Sequence, residues 1–278
     1  MKYMIATAAI SAAAGTVMSA AQAQDIRIKP VAEARLRYEH ADQEGLAIDK
    51  SDALTIRARA GLAATSGALS ATVIGQGNLA VVDRYYDGLN GAANRPIIAD
   101  PENVALYIAQ LQYKTKLVTL TGGRQRIALD DERFVGNVAF RNNGQTFDAM
   151  RMELTPAQGL KLDLSYAWSV RTIWGFQGKG ARQQAVSGDN IFVNLSYVTP
   201  VGTLSGFAYL VDQDEAAMQA FRLSSQTYGV RLAGTQPLSK AAKLSYQLSY
   251  AKQADHHANP NNYSADYWLA DATLDVKG

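Results

Sequence analysis

Apolar and polar residues alternate with a period of two along most of the chain beyond residue 30. Ala34, Leu36 and Tyr38 share one face of the first such segment, and Glu33, Arg35, Arg37 and Glu39 share the other. Leu54, Ile56, Ala58, Ala60 and Leu62 oppose Thr55, Arg57 and Arg59 in the next. The alternation is clearest from Leu160 to Arg171, where Leu160, Leu162, Leu164, Tyr166, Trp168 and Val170 face away from Lys161, Asp163, Ser165, Ser169 and Arg171. Period-two alternation predicts strands whose two faces meet different surroundings. The segments run about ten residues or longer, against ~5–6 for an ordinary globular strand, and ten is the length that crosses a bilayer at a tilt.

The connections alternate as well. Short turns are predicted at residues 64–67, 114–116, 155–159, 199–202 and 236–240. Long polar connections are predicted at 41–51, 82–103, 128–144, 172–189, 212–224 and 254–264. Short turns on one side and long loops on the other are the pattern of an antiparallel transmembrane β-barrel, here with about twelve strands. A β-sandwich also alternates, but with shorter strands. Here Tyr38, Tyr113, Tyr166, Trp168, Tyr197, Tyr250 and Trp268 sit near apolar strand ends, as an interfacial girdle would. A parallel β-helix needs a short fixed repeat, and the sequence has none. Only a closed sheet satisfies every backbone polar group within hydrocarbon, so the apolar face is expected to meet lipid and the polar face to line a lumen. Function is therefore expected on the polar face.

The first residues fit export. A basic start at Lys2, a small apolar run and Ala21-Gln22-Ala23 predict a signal peptide over 1–23, with the barrel over 24–278. The alternative, an anchoring helix, suits this Ala-rich, weakly hydrophobic run less well. The chain has no cysteine, which excludes a disulfide framework and thiolate metal sites. A net charge of +2 excludes a generally polybasic nucleic-acid binder, so no nucleic-acid partner is expected.

The local charge is mostly arginine. Arg35, Arg37, Arg57, Arg59, Arg151, Arg171 and Arg231 fall on the polar face by parity. Arg124 and Arg126 lie near a strand end, where Gly122-Gly123 can mark a bulge. Arg133 and Arg141 lie on the long connection after them. Glu33, Glu39, Glu153, Asp163, Asp271 and Asp275 can pair with some of these, which leaves an ordinary salt-bridged interior as the plain reading. The sharper reading is a positive lining that favours anions, since guanidinium forks bind carboxylates through two parallel hydrogen bonds. The R-x-R steps Arg35/Arg37, Arg57/Arg59 and Arg124/Arg126 suit the second reading.

The run GGRQRIALDDERFVGNVAFRNNGQTFDAMR, with the opening ARLRYEHADQEG…DALTIRARAGL, resembles the alginate-export family of outer-membrane porins, over Arg35 to Asp275. The resemblance implies an arginine-lined barrel of eighteen strands that passes an anionic polyuronate outward, with loops folded against or into the pore. It implies that Arg124, Arg126 and Arg151 belong to the constriction, that residues 128–144 lie near it, and that Asp130 and Asp131 modulate selectivity. It implies the outer membrane as location. Lipid, lipopolysaccharide, anionic polysaccharide or small anionic solutes and the barrel-assembly machinery are then the expected partners. The sequence departs from this pattern in supplying about twelve strands and ending at Val276-Lys277-Gly278 without an aromatic residue, so a C-terminally truncated barrel is expected.

The competing class is an outer-membrane barrel enzyme or an adhesin. No G-x-S-x-G step or nucleotide loop is present, and no cofactor is expected. The histidines are His40, His256 and His257, all at predicted loops, and the acidic runs lack calcium-loop spacing, so no metal is expected.

Overall fold

The structure, a computed structural model, describes residues 2–10 and 26–277. It contains β1 (Lys2–Ile10), β2 (Arg27–Asp42), β3 (Lys50–Ser66), β4 (Leu69–Arg84), β5 (Asn103–Lys114), β6 (Val118–Gln125) and β7 (Thr146–Ala157). There follow β8 (Leu160–Arg171), β9 (Ala185–Thr199), β10 (Gly202–Val211), β11 (Ser225–Pro237), β12 (Ala242–Asp255) and β13 (Ser264–Val276). Each strand neighbours the next in sequence, in the order β1 to β13. This is the antiparallel up-and-down order of an outer-membrane β-barrel, with twelve strands after β1, as the alternation predicts.

β1 falls in the predicted leader and pairs antiparallel with β2, from Lys2↔Asp42 to Ile10↔Ala34. An apolar stretch laid along an unpaired strand edge satisfies that edge's backbone groups. The predicted cleavage step after Ala23 lies outside the described residues.

The chain divides into two compact units. The first comprises Met1–Tyr113, Thr121–Ala149 and Ser169–Val186; the second comprises Lys114–Leu120, Met150–Trp168 and Ser187–Gly278. In both, the sheet is inverted relative to a water-soluble protein. Along β3, Ile56 is exposed while Thr55 and Arg57 are buried. Along β8, Leu164, Tyr166 and Trp168 are exposed while Asp163 and Ser165 are buried. The strand length allows the apolar face to span a hydrocarbon layer, and the polar face packs on itself and on loops.

Tyrosines mark the loop-side boundary of the apolar face. Tyr38 of β2 donates to Asp52 of β3 at 2.8 Å, and Tyr250 of β12 donates to Asp266 of β13 at 2.8 Å. Tyr166 of β8 donates to Asp189 of β9. In each pair an upward strand gives the ring and the following downward strand gives the carboxylate. A ring of this kind keeps its body in the interfacial region and its hydroxyl toward water.

The short turns and long loops fall where the sequence places them. One boundary moves: β9 begins at Ala185, so the loop before it is shorter than predicted. The six long loops are numbered here in order: loop 1 (43–49), loop 2 (85–102), loop 3 (126–145), loop 4 (172–184), loop 5 (212–224) and loop 6 (256–263).

Candidate functional site: the arginine wall and loop 3

In the first unit, loop 2 sets the stage. Tyr85 and Ile98 pack against Ala41 and Ala53, small residues near the loop ends of the polar faces of β2 and β3. Burying two side chains of this size contributes on the order of 1.5–3 kcal/mol each. The Ser51 hydroxyl donates to the Pro96 carbonyl at 2.8 Å, and Asn78 donates to the Pro101 carbonyl at 2.9 Å. The Tyr85 hydroxyl, whose pKa burial pushes up, donates to the Asp100 carbonyl at 3.0 Å. These contacts carry the Asp100 side chain, 1 % exposed, onto the wall.

Loop 3 is then held between that carboxylate and the arginines of β2 and β3. Arg35 donates to the carbonyls of Ala139 (3.3 Å), Phe140 (3.3 Å) and Arg141 (3.5 Å). Arg37 donates to the Phe140 carbonyl, and Arg57 to the Asn142 carbonyl at 3.4 Å. The Asn142 backbone N–H donates to Asp100 Oδ1 at 2.7 Å, and its side-chain amide donates to Thr55 (2.6 Å) and Asn78 (3.1 Å). Asn143 donates to the Pro101 carbonyl at 2.7 Å and accepts from Gln76 at 3.2 Å. Asn142 and Asn143 are fully buried, so each lost partner would leave an unsatisfied polar atom.

Charge closes the latch. Arg37 pairs with Glu39 and lies 3.5 Å from Asp100; Arg141, from loop 3, lies 3.4 Å from Glu39 and 3.6 Å from Asp100. Two guanidiniums and two carboxylates thus join wall, loop 2 and loop 3. Nearby, Arg57 pairs with Glu33, and Arg59 lies 3.5 Å from Glu33, donates to Gln76 at 2.7 Å and stacks 3.8 Å over the Tyr107 ring. Loop 3 leaves past this group at Gly144, where a Cβ would come within 2.9 Å of the Tyr107 hydroxyl and 3.3 Å of Arg59 Nη2.

The loop bears strain that the latch must hold. Asp130, Glu132 and Val138 adopt φ of 52°, 60° and 52°. For a β-branched residue this region costs about 1–3 kcal/mol. Val138 keeps it by accepting from the Arg141 backbone N–H at 3.0 Å, one step from the anchored carbonyls.

Phe134, Val135, Val138 and Phe140, the apolar residues that the sequence offers as anchors of this connection, divide. Val135 is buried, but Val138 and Phe140 are exposed. The Phe140 ring lies beneath Arg37 (4.3 Å) and Arg141 (5.2 Å) instead of in an apolar pocket. Ile127 and Leu129 are buried in their place.

The predicted site residues separate into groups. Arg35, Arg37, Arg57, Arg59 and Arg141 gather on the wall. Arg126, exposed just past the end of β6, has no hydrogen-bond or ion-pair acceptor among the described residues, and its charge acts on Arg59. Arg124 makes a bidentate pair with Asp148 (2.7 and 2.9 Å), which Arg171 joins at 3.1 Å. By alternation Asp148 shares its face of β7 with exposed Met150, opposite Arg151. Arg124 thus pairs within the first unit, through Asp148 and Arg171, and Arg151 pairs within the second, through Asp163. Along β6, Thr121 and Gln125 are buried and Leu120 is exposed, so Arg124 keeps the parity of Leu120 straight through Gly123, which holds φ of 108°. Asp130, Asp131 and Arg133 are exposed on the outer arm of loop 3, where the Arg133 backbone N–H donates to Asp131 at 3.3 Å.

The second unit is balanced. Arg151 pairs with Asp163 and lies 3.5 Å from Glu153; Lys161 donates to Glu153 at 2.7 Å. Arg231 donates to Gln247 at 3.0 Å. Beside these, Phe207 stacks on Tyr209 with ring centroids 4.9 Å apart.

A family profile described as Alginate export matches residues 31–273. The chain belongs to the alginate export family. Among curated protein sequences no match is found. Among solved structures this alginate-export protein is similar to Acinetobacter baumannii OccAB2, with 15 % identity, 91 % of this chain and 64 % of that one covered, and a TM-score of 0.66. It is similar to OccAB3 of the same organism, with 12 % identity, 91 % and 64 % covered, and a TM-score of 0.65. It is also similar to Pseudomonas aeruginosa OccD3 (OpdP), with 15 % identity, 90 % and 54 % covered, and a TM-score of 0.61. At these identities the likeness shows the fold, that of outer-membrane porins. The alginate-export chain spans less than two thirds of the length of each of the three.

Asp100 gives the latch a pH dependence. Burial pushes its carboxyl above the ordinary range, against the opposing pull of Arg37, the Asn142 N–H and Arg141. The docked loop thus binds this proton more tightly than the undocked loop does. The resulting stabilisation is fully present below the ordinary carboxylate pKa of about 4 and is lost as pH rises through the raised value. Asp100→Asn mimics the protonated form and keeps an acceptor for Asn142. It is expected to leave loop 3 as resistant to trypsin at Arg133 and Arg141 as the unaltered protein at neutral pH. Cleavage as fast as in Asp100→Ala would refute this.

Proposed function

We propose that the arginine wall makes this protein a passive outer-membrane pore for anionic solutes, with acidic oligosaccharides of the uronate class as the preferred cargo. One observation supports this most: on the wall of the first unit six guanidiniums (Arg35, Arg37, Arg57, Arg59, Arg126, Arg141) meet three carboxylates (Glu33, Glu39, Asp100). Most of that charge also holds loop 3, so the surplus is expressed at the exposed member, Arg126. A positive lining lowers the barrier for anions and raises it for cations. The loop is a fixed part of the lining, so solutes pass along its outer arm instead of displacing it. On this reading residues 1–23 are an export signal, and the assembly machinery, lipid and lipopolysaccharide are partners of the folding barrel.

The test is the reversal potential of the reconstituted protein across a potassium chloride gradient. A potential of the sign set by chloride is expected, with partial block by polyuronate. A potential of the sign set by potassium would overturn the reading in favour of a barrel whose charge serves only its own folding.

A further inference from the structure

Loop 4 crosses loop 2 at a cluster that the wall does not use. Trp174 lies against Gly88, whose φ of 100° leaves bare backbone there; a Cβ would come within 2.5 Å of the indole. Arg182 reaches back between two rings, its guanidinium carbon 5.0 Å from the Trp174 centroid and 5.6 Å from that of Tyr86. Its Nη1 donates to the Tyr86 hydroxyl (2.9 Å) and the Gly88 carbonyl (2.8 Å). No carboxylate pairs with it among the described residues. Lys179, exposed, stands opposite Arg182 in the same tight turn, and the Arg182 N–H donates to the Lys179 carbonyl at 3.1 Å. Phe176 is 54 % exposed, and its backbone is pinned by Asn103 at 3.1 Å.

The sequence of this loop is as telling as its geometry. From Thr172 to Gly188 there is no Asp or Glu, while Trp174, Phe176, Gln177, Lys179, Arg182, Gln183 and Gln184 all fall within it. Exposed aromatic faces stack on the C–H face of a pyranose ring, amides serve its hydroxyls, and cations serve a carboxylate. A small inorganic anion would use the charges and leave the rings idle. A neutral glycan would leave the charges idle.

We propose that the crossing of loop 4 over loop 2 is a docking site at the outer mouth for an acidic oligosaccharide, held by Lys179 and Arg182 through its carboxylates and by Trp174 and Phe176 through its rings. The proposal rests on the lumen being an anion path, since it concerns where that cargo pauses at the loop side. A charged site at a channel mouth raises local solute concentration and capture rate.

Trp174 supplies its own reporter. In full-length protein carrying Trp168→Phe and Trp268→Phe it is the sole tryptophan. Titration with a mannuronate tetramer is expected to give saturable quenching of its fluorescence, while maltotetraose gives none. Combining Lys179→Gln with Phe176→Ser, both exposed and outside the Arg182 clamp, is expected to weaken binding about ten-fold, with the unliganded emission maximum unchanged. Arg126→Gln is expected to leave this titration unaltered while changing the reversal potential. No quenching by the tetramer, or equal quenching by maltotetraose, overturns the docking site. So does an affinity indifferent to the loop 4 pair. A selectivity indifferent to Arg126 strikes the lumen reading instead.

Discussion

Asp100→Ala is expected to release loop 3 from the wall while the barrel stays folded. The substitution removes the acceptor of the Asn142 backbone N–H and one of two carboxylates shared by Arg37 and Arg141. Each buried donor left without its acceptor costs about 1–3 kcal/mol, because it stays desolvated. The strain at Val138 adds to the tendency to open. The cost falls on loop docking and not on the sheet, whose strands are satisfied by their own ladders. Local opening of a few kcal/mol translates into roughly a hundred-fold change in the open population. Trypsin cleavage at Arg133 and Arg141 should therefore accelerate by about that factor in the fast-closing regime. The protein should still migrate as a heat-modifiable barrel. Unchanged cleavage in a folded barrel would show that the carbonyl contacts of Arg35, Arg37 and Arg57 hold the loop without the carboxylate.

The parts of this architecture that are local in sequence can be read from it directly. Alternation at Leu164, Ser165 and Tyr166 gives the two faces correctly because a strand's side chains are fixed by period two alone. The loops follow because turn residues and loss of alternation are also local. The partner of Arg124 is not legible in this way: parity gives its face, shared with Leu120, but its bond to Asp148 joins residues 24 apart. Asp100 and Asn142 escaped for the same reason. Their bond joins loops 42 residues apart, and those from Arg35 and Arg37 to loop 3 span more than 100. The signal was the polar run Arg141-Asn142-Asn143-Gly144, too hydrophilic to fill a pocket by itself. Read together with a wall of arginines it offers backbone carbonyls, to which guanidinium groups donate as they do to carboxylates. Phe140 was legible as an anchor but not as a ring for cations, since its role depends on what lies beneath it.

The same distribution of partners decides which arginine governs selectivity, and it singles out Arg126. Arg37 is 1 % exposed and enclosed by Glu39, Asp100 and the Phe140 carbonyl. Its charge is spent within the latch, and Arg37→Gln is a change to docking. Arg126 is exposed, has no acceptor among the described residues, and stands close enough for its charge to act on Arg59. Arg126→Glu moves the local charge by two units. A unit charge at 4–7 Å in water is worth about 0.6–1 kcal/mol, and the two-unit change acts in opposite senses on chloride and potassium, so the reversal should change the chloride-to-potassium permeability ratio by roughly a hundred-fold. Screening supplies an internal control. The Debye length is about 10 Å in 0.1 M salt and about 3 Å in 1 M, so the change should be full in the first and largely gone in the second. A ratio that shifts equally at both salt concentrations would mean that the side chain acts by blocking the path sterically. A ratio that does not move at 0.1 M would return the surplus guanidinium charge of the wall to a structural role.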